Sequence, residues 1–94
     1  MDCREEITVR LTDLGSDHKV SALFTKFCRV AGDACRLYRN ERIQNDWAVA
    51  IEWSQVQDPE ATTAQRDLLV WALEDLGHVH VACWKEERAE RRKG

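Results

Sequence analysis

Four segments of the chain have the residue pattern of β-strands. In the first and third of them, bulky apolar residues alternate with small or polar residues, which is the period of a strand with one buried face. The second and third are separated only by the polar residues QND, so we predict that they pair as a hairpin. The four predicted strands are residues 6–12, 33–43, 47–54 and 78–85.

Two further segments have the helical spacing, in which apolar residues recur at intervals of three and four. Ser16 or Asp17 can cap the first helix, and Asp58-Pro59 or a capping box at Thr62 can begin the second. Each helix is followed by a glycine, the residue that most often ends a helix. The predicted core-facing residues are Val20, Leu23, Phe24, Phe27, Cys28 and Ala31 in the first helix and Leu68, Leu69, Ala72, Leu73 and Leu76 in the second.

The predicted element order is β-α-β-β-α-β, that of a ferredoxin-like α+β fold with a four-stranded antiparallel sheet and both helices on one face. The chain has 94 residues, and we expect a single domain over residues 1–85 followed by a charged C-terminal tail, residues 86–94. A domain of this size buries only about 60 to 65% of its unfolded surface. We therefore expect a second subunit or another partner on the sheet face that the helices leave uncovered.

Charge and hydropathy exclude two classes of function. The net charge is −3, and residues 85–94 hold five basic and three acidic groups, so the rest of the chain is acidic. An acidic body argues against a nucleic-acid-binding surface. No apolar run approaches the roughly 20 residues of a membrane span, and the N-terminal segment has no apolar signal-peptide core. We expect a cytoplasmic protein with no membrane association.

The four cysteines show no C-x-x-C spacing, so reduced thiols are expected rather than a disulfide framework. Cys28, Cys35 and Cys83 occupy apolar positions and are predicted to be buried. Cys3 lies near the N-terminus and is the most exposed candidate for thiol chemistry. The chain contains no Ser-His-Asp order, glycine-rich phosphate loop or H-E-x-x-H motif.

If the alternating apolar residues pack beneath the helices, the remaining strand residues lie on the uncovered face. This set combines histidines, aromatic residues and arginines with small alanines. Its members are Thr8, Arg10, Arg36, Tyr38, Asn40, Arg42, Ala48, Ala50, Glu52, His78, His80 and Trp84. A solvated or dimer-facing sheet surface is one interpretation of this composition, and a functional cleft is the other.

His80, Glu52 and Tyr38 are the candidate catalytic residues. Imidazole titrates near neutral pH and a carboxylate partner fixes its tautomer, so His80 and Glu52 are a candidate acid–base pair. An ordinary hydrogen-bonded strand histidine is the alternative. His78 and His80 share one face, but zinc takes three or four ligands, and no metal site or other cofactor is predicted. The candidate pocket or interface residues are Arg36, Trp53, Trp71, His78 and Trp84.

The segment CRLYRNERIQNDWAVAIEWS, residues 35–54, resembles the middle of antibiotic biosynthesis monooxygenases. In that family a tyrosine-containing strand leads through a short polar turn into a strand that ends in E-x-W or E-W, here Glu52-Trp53. The segment VRLTDLGSDHKVSALFTKF, residues 9–27, is similar to the family in layout. The resemblance implies a homodimeric α+β barrel of two face-to-face sheets. In active members it implies cofactor-independent oxygenation of aromatic or quinol-like small molecules, or haem degradation.

The resemblance also implies a substrate between the helices and the sheet, with Trp53 or Trp71 beside it. The chain departs from active members because its first strand has no asparagine and its second helix, QRDLLVWALEDL, has no histidine where haem-degrading relatives carry one. Whether the protein is an enzyme therefore stays open. ACT-type ligand-binding domains share the element order, and a non-enzymatic adaptor or inhibitor that binds another protein is a further class.

Overall fold

The fold is that of a computed structural model, which describes residues 3–90. The first two residues of the predicted domain and the last four of the predicted tail lie outside this range. The described part of the chain follows the predicted β-α-β-β-α-β order. Its elements are β1 Cys3–Leu11, α1 Asp17–Ala31, β2 Cys35–Arg39, β3 Asp46–Glu52, α2 Pro59–Glu74 and β4 Gly77–Lys85.

The four strands form one antiparallel sheet in the order β2-β3-β1-β4. Residues of both helices and of one sheet face belong to a single core cluster, so both helices cover the same face of the sheet. This confirms the predicted ferredoxin-like α+β fold. Within residues 3–90, neither helix has the length and apolar character that crossing a membrane requires.

The core fills the layer between the sheet and the two helices. Burying each large aliphatic side chain there contributes about 1.5 to 3 kcal/mol, so this layer is the main source of stability. The alternating positions predicted from β1 and β3 supply its sheet side. The buried cluster is Ile7, Val9, Leu11, Val20, Phe27, Ala31, Cys35, Val49, Ile51, Trp53, Leu69 and Leu73.

Of the two predicted starts of helix α2, the structure has the one at Asp58-Pro59. The Asp58 side chain caps the helix by accepting a hydrogen bond from the Ala61 backbone N–H at 3.1 Å. The prediction that Leu68 faces the core is wrong, because this side chain is 55% exposed. The buried line of α2 runs through Thr62, Leu69 and Leu73. Leu68 lies about 100° around the helix from Leu69 and therefore points away from the sheet.

Strand β2 is shorter than predicted and ends at Arg39. The Asn40 side chain accepts hydrogen bonds from the backbone N–H groups of Arg42 and Ile43, which turns the chain toward β3. The strand parity predicted that Asn40 and Arg42 lie on the uncovered sheet face. This prediction is wrong, because both residues lie in the hairpin turn.

Two glycines occupy positions that the backbone geometry requires. Gly32 ends α1 with a φ of 61°, in the left-handed region that glycine adopts without a steric penalty. At Gly77, where β4 begins beside β1, a Cβ atom would lie 2.0 Å from the Arg10 carbonyl oxygen. Any side chain at Gly77 would therefore push β4 away from β1.

Candidate functional site

The layer between the helices and the sheet, where the resemblance implies a substrate, is filled by core side chains. Ile7, Ile51 and Leu73 are fully buried in it. Trp53, a predicted pocket residue, is 7% exposed and packs in the same core. Because β3 ends at Glu52, Trp53 begins a single 3-10 turn, and its indole closes the core at the end of the sheet.

Trp71, the other predicted pocket residue, lies on the outer surface of α2 and is 69% exposed. It borders a shallow groove of about 170 Å³ between the two helices. The residues that line this groove are Leu23, Lys26, Phe27, Gln65, Leu68, Leu69, Trp71 and Ala72. Trp71 and Trp53 therefore do not belong to one site.

A buried ion pair joins β1 to α2 on the covered face. Arg66 donates two hydrogen bonds to the carboxylate of Glu5, from Nε at 3.0 Å and from the terminal nitrogen at 2.8 Å. Glu5 has the same strand parity as Ile7 and Val9, so its carboxylate lies beneath the helix and requires this partner. The strand pattern locates Glu5 on the covered face, but nothing in the sequence identifies Arg66 as its partner.

On the uncovered face, the strand register aligns side chains in rows that cross all four strands. The register aligns Tyr38 on β2, Ala48 on β3, Thr8 on β1 and His80 on β4. Neighbouring strands are about 4.8 Å apart, so Tyr38 and His80 stand about 14 Å apart with only small side chains between them. In the adjacent row, Ala50 and Ala82 stand on either side of Glu6 of β1, so the small side chains there are interrupted by a charge.

His80 and Glu52, the predicted acid–base pair, are far apart within one chain. Glu52 is level with Arg4 on β1, whereas His80 is level with Thr8, four residues further along that strand. Strand β1 also separates them, so their Cα atoms are about 16 Å apart. Glu52 pairs with Arg4 instead, at 3.5 Å, and no side chain of residues 3–90 hydrogen-bonds to the His80 imidazole.

His78 lies beside a charged pair on the same face. It is directly opposite Arg10, which donates two 3.0 Å hydrogen bonds to the Asp46 carboxylate. These hydrogen bonds from Arg10 hold the pKa of Asp46 below its usual value. Residues 3–90 contain no group of three or more His, Cys, Asp and Glu side chains arranged to hold a metal ion.

Trp84 stands at one end of the uncovered face, opposite Arg4 on β1, and is 61% exposed. It borders an open cleft of about 710 Å³ whose other walls are charged or polar. The lining residues are Cys3, Arg4, Glu52, Ser54, Trp84, Lys85 and Glu86. This cleft brings together two of the predicted site residues, Glu52 and Trp84.

Arg36 lies at the far edge of the sheet on β2. Its guanidinium donates to the carbonyl oxygens of Asp33, at 2.9 Å, and Cys35, at 3.1 Å, so it folds back onto the preceding turn. Tyr38, two residues further along the same strand, is half exposed and borders a smaller cavity of about 170 Å³ beside Ala48 and Thr8.

Solved structures of other proteins share this fold over nearly the whole chain. A Bacteroides thetaiotaomicron protein, described as conserved, of unknown function and a possible oxidoreductase, has a TM-score of 0.66 at 13% identity, covering 89% of this chain and 96% of that one. The cofactor-independent oxygenase SnoaB from Streptomyces nogalater has a TM-score of 0.63 at 13% identity, covering 95% and 97%.

A Deinococcus radiodurans protein, provisionally assigned as an antibiotic biosynthesis monooxygenase, has a TM-score of 0.60 at 13% identity, covering 98% of this chain and 99% of that one. No family model matches the chain, and no curated protein sequence matches it either. At this level of identity the likeness concerns the fold alone. It confirms the resemblance seen in the sequence: the chain has the α+β fold of antibiotic biosynthesis monooxygenase-like proteins.

Proposed function

We propose that the protein is a cytoplasmic homodimer that oxygenates an aromatic or quinol-like small molecule without a cofactor, and that the uncovered sheet face is its working surface. The observation that carries the proposal is the low floor of small side chains between Tyr38 and His80. This floor lies on a fold shared with a cofactor-independent oxygenase over 95% of the chain.

Dimerisation through the uncovered face is supported by its composition. Tyr38 and Trp84 are exposed at opposite edges of the sheet, and the surface between them combines alanines with the charged Arg4, Glu6 and Glu52. Exposed aromatic side chains on a sheet that has helices on only one face favour burial against a second surface. Two copies related by a two-fold axis would cover the same residues on each subunit and form a closed α+β barrel.

A substrate on this face suits the geometry better than one beneath the helices, because the helix–sheet layer is occupied by core side chains. The width of about 14 Å between Tyr38 and His80 accommodates two or three fused aromatic rings. The His80 imidazole would remove the proton of a phenolic hydroxyl, because a ring nitrogen of a neutral imidazole accepts a proton. The resulting electron-rich anion then reacts with dioxygen at a ring carbon that bears hydrogen. One oxygen atom becomes a quinone carbonyl, the other leaves as water with the displaced hydrogen, and the substrate itself supplies all four electrons.

Oxygen uptake with fused-ring phenols and quinols tests this proposal. We expect turnover with at least one such compound, a loss of roughly 100-fold or more in kcat for His80→Gln, and a smaller loss for Tyr38→Phe. His18→Gln, at an exposed position of α1 on the opposite side of the sheet, is the matched control and should retain activity. A monomer in solution with no oxygen uptake would contradict the proposal, as would unchanged turnover in His80→Gln.

A non-enzymatic interaction module is the second candidate function. The filled helix–sheet layer favours it, together with the exposure of Leu68 and Trp71 on the outer side of α2. If this function is correct, Leu68→Ser and Trp71→Ser abolish binding of a partner protein, whereas His80→Gln has no effect on that binding. If the protein is catalytic instead, His80→Gln lowers its activity, whereas Leu68→Ser and Trp71→Ser leave the activity unchanged.

A further inference from the structure

The four cysteines lie in two pairs. The Sγ atoms of Cys3 and Cys83 are 2.8 Å apart, and those of Cys28 and Cys35 are also 2.8 Å apart. The first pair is separated by 80 residues along the chain and the second by seven. The sequence predicted reduced thiols and no disulfide framework, and their arrangement in two close pairs is a product of the tertiary structure.

The first pair is held by the register of β1 and β4. Glu5 is directly opposite Cys83, and Cys3 is opposite Lys85, so the two cysteines are diagonal neighbours with the same strand parity. The prediction that Cys83 is buried is wrong, because the end of the edge strand β4 is exposed. Cys3 is partly exposed and lines the cleft beside Trp84. Both sulfurs are therefore accessible to a small molecule.

We propose that Cys3 and Cys83 form a thiol–disulfide exchange site for low-molecular-weight disulfides. One thiolate attacks a sulfur of the external disulfide, which forms a mixed disulfide and releases one thiol. The second cysteine then attacks the mixed disulfide, which forms the Cys3–Cys83 bond and releases the other thiol. Two protein thiols are oxidised, and one external disulfide is reduced to two thiols. A sulfur movement of less than about 1 Å closes the bond.

The second pair is an internal control with the same separation and different access. Cys35 is 4% exposed, and its Sγ also donates to the Gly32 carbonyl oxygen at 3.2 Å. The hydrogen bond with Cys83 raises the pKa of Cys3 to about 11, and burial raises that of Cys35 to about 12. Thiolate is scarce at Cys3 and at Cys35 near neutral pH, so access to the external disulfide distinguishes the two pairs.

Oxidation of Cys3 and Cys83 would constrain the cleft that Cys3 and Trp84 line. Cys3 lies in one wall of the cleft and Trp84, the neighbour of Cys83, lies in another, so a bond between the two strands holds the walls at a constant separation. The bond would also close a loop of nearly the whole chain, which restricts the unfolded state far more than a bond between Cys28 and Cys35.

Incubation of the full chain with oxidised glutathione, followed by alkylation, trypsin digestion and mass spectrometry, tests the proposal. Cleavage after arginine and lysine yields a linked product of residues 1–4 with residues 67–85 if Cys3 and Cys83 are joined. We expect this product first, reversal by dithiothreitol, and a rise in Tm of roughly 10 °C or more. Linkage between residues 27–29 and 30–36 would report the buried pair instead.

Two variants complete the test. Cys28→Ser should form the 1–4 and 67–85 product at the wild-type rate, whereas Cys3→Ser should leave Cys83 as a mixed disulfide with glutathione. The proposal is overturned if the wild type carries glutathione separately on Cys3 and Cys83, or if the buried pair is oxidised first. The absence of any oxidation would overturn it as well.

Discussion

The two faces of the sheet share the same strands and differ in burial and polarity. On β1, Ile7 and Val9 pack beneath the helices with almost no exposed surface, whereas Thr8 and Arg10 lie on the uncovered face. The covered face contains two ion pairs among apolar side chains, one from β1 to α2 and one from β2 to α1, and the uncovered face combines charges, histidines and alanines. The difference indicates that the covered face holds the fold together, whereas the uncovered face is the one to which we assign the proposed association and chemistry. Substitutions on the two faces should therefore have separable effects.

The largest effect is expected from Leu73→Ala on the covered face. Leu73 is fully buried, so its truncation leaves a cavity and should lower the free energy of unfolding by about 2 to 5 kcal/mol. Leu68→Ala on the same helix is the matched control and should change it by less than about 1 kcal/mol, because Leu68 faces solvent. Urea denaturation followed by tryptophan fluorescence measures both values. Equal losses would contradict the assignment of the buried line of α2.

Arg66→Ala should have the next largest effect on stability. It removes the partner of the buried Glu5 carboxylate, and a buried charge without a partner typically costs about 3 kcal/mol. Because Arg66 is itself partly exposed, we expect a loss of roughly 2 kcal/mol. The double variant Glu5→Leu with Arg66→Leu should recover most of the loss. If the double variant is no more stable than Arg66→Ala, the pair does not impose the expected desolvation cost.

Ala48→Arg tests the uncovered face without disturbing the core. Ala48 lies between Tyr38 and Thr8, and a long charged side chain there should weaken the proposed dimer by roughly tenfold or more in Kd. The free energy of unfolding of the monomer should change little. Light scattering across a dilution series measures the association, with Ala64→Arg on the exposed side of α2 as the control. A dimer that survives Ala48→Arg would exclude this face as its interface.

The smallest effect concerns pH and the Arg10–Asp46 pair. The pKa of Asp46 is lowered in the folded protein by its hydrogen bonds from Arg10. Its contribution to stability is therefore complete above the usual aspartate pKa of about 4 and disappears as the pH falls through the folded-state value. Denaturation midpoints of Asp46→Asn should lack this part of the acid dependence. An identical pH profile in both proteins would mean that the exposed pair contributes nothing to stability.

The helix boundaries and the cores of the strands could be predicted because they depend on local signals. The alternation at Ile7 and Val9 and the cap at Asp58 are contained in a few neighbouring residues. The early end of β2 comes from a local hydrogen-bonded turn at Asn40, but the error at Leu68 occurred where a long-range feature decided the outcome. Leu68 and Leu69 are both compatible with an apolar stripe, and only the position of α2 on the sheet determines which of them is buried.

The candidate site could likewise be predicted only in part. The alternation along each strand was sufficient to assign Tyr38, Glu52, His78, His80 and Trp84 to the uncovered face, since side chains two residues apart share a face. It was not sufficient to show which of them meet. The register of β3 and β4 against β1 separates His80 from Glu52 by about 16 Å and aligns His80 with Tyr38.

The sequence by itself determined the element order, the two sheet faces and the likeness to antibiotic biosynthesis monooxygenases, because each depends on residues close together in the chain. The tertiary structure alone decided that Glu5 meets Arg66, that Cys3 meets Cys83 and that core residues fill the space beneath the helices. The physical reason is that strand register and helix docking are set by the packing of the whole core, and side chains 60 to 80 residues apart come into contact only after that packing is complete.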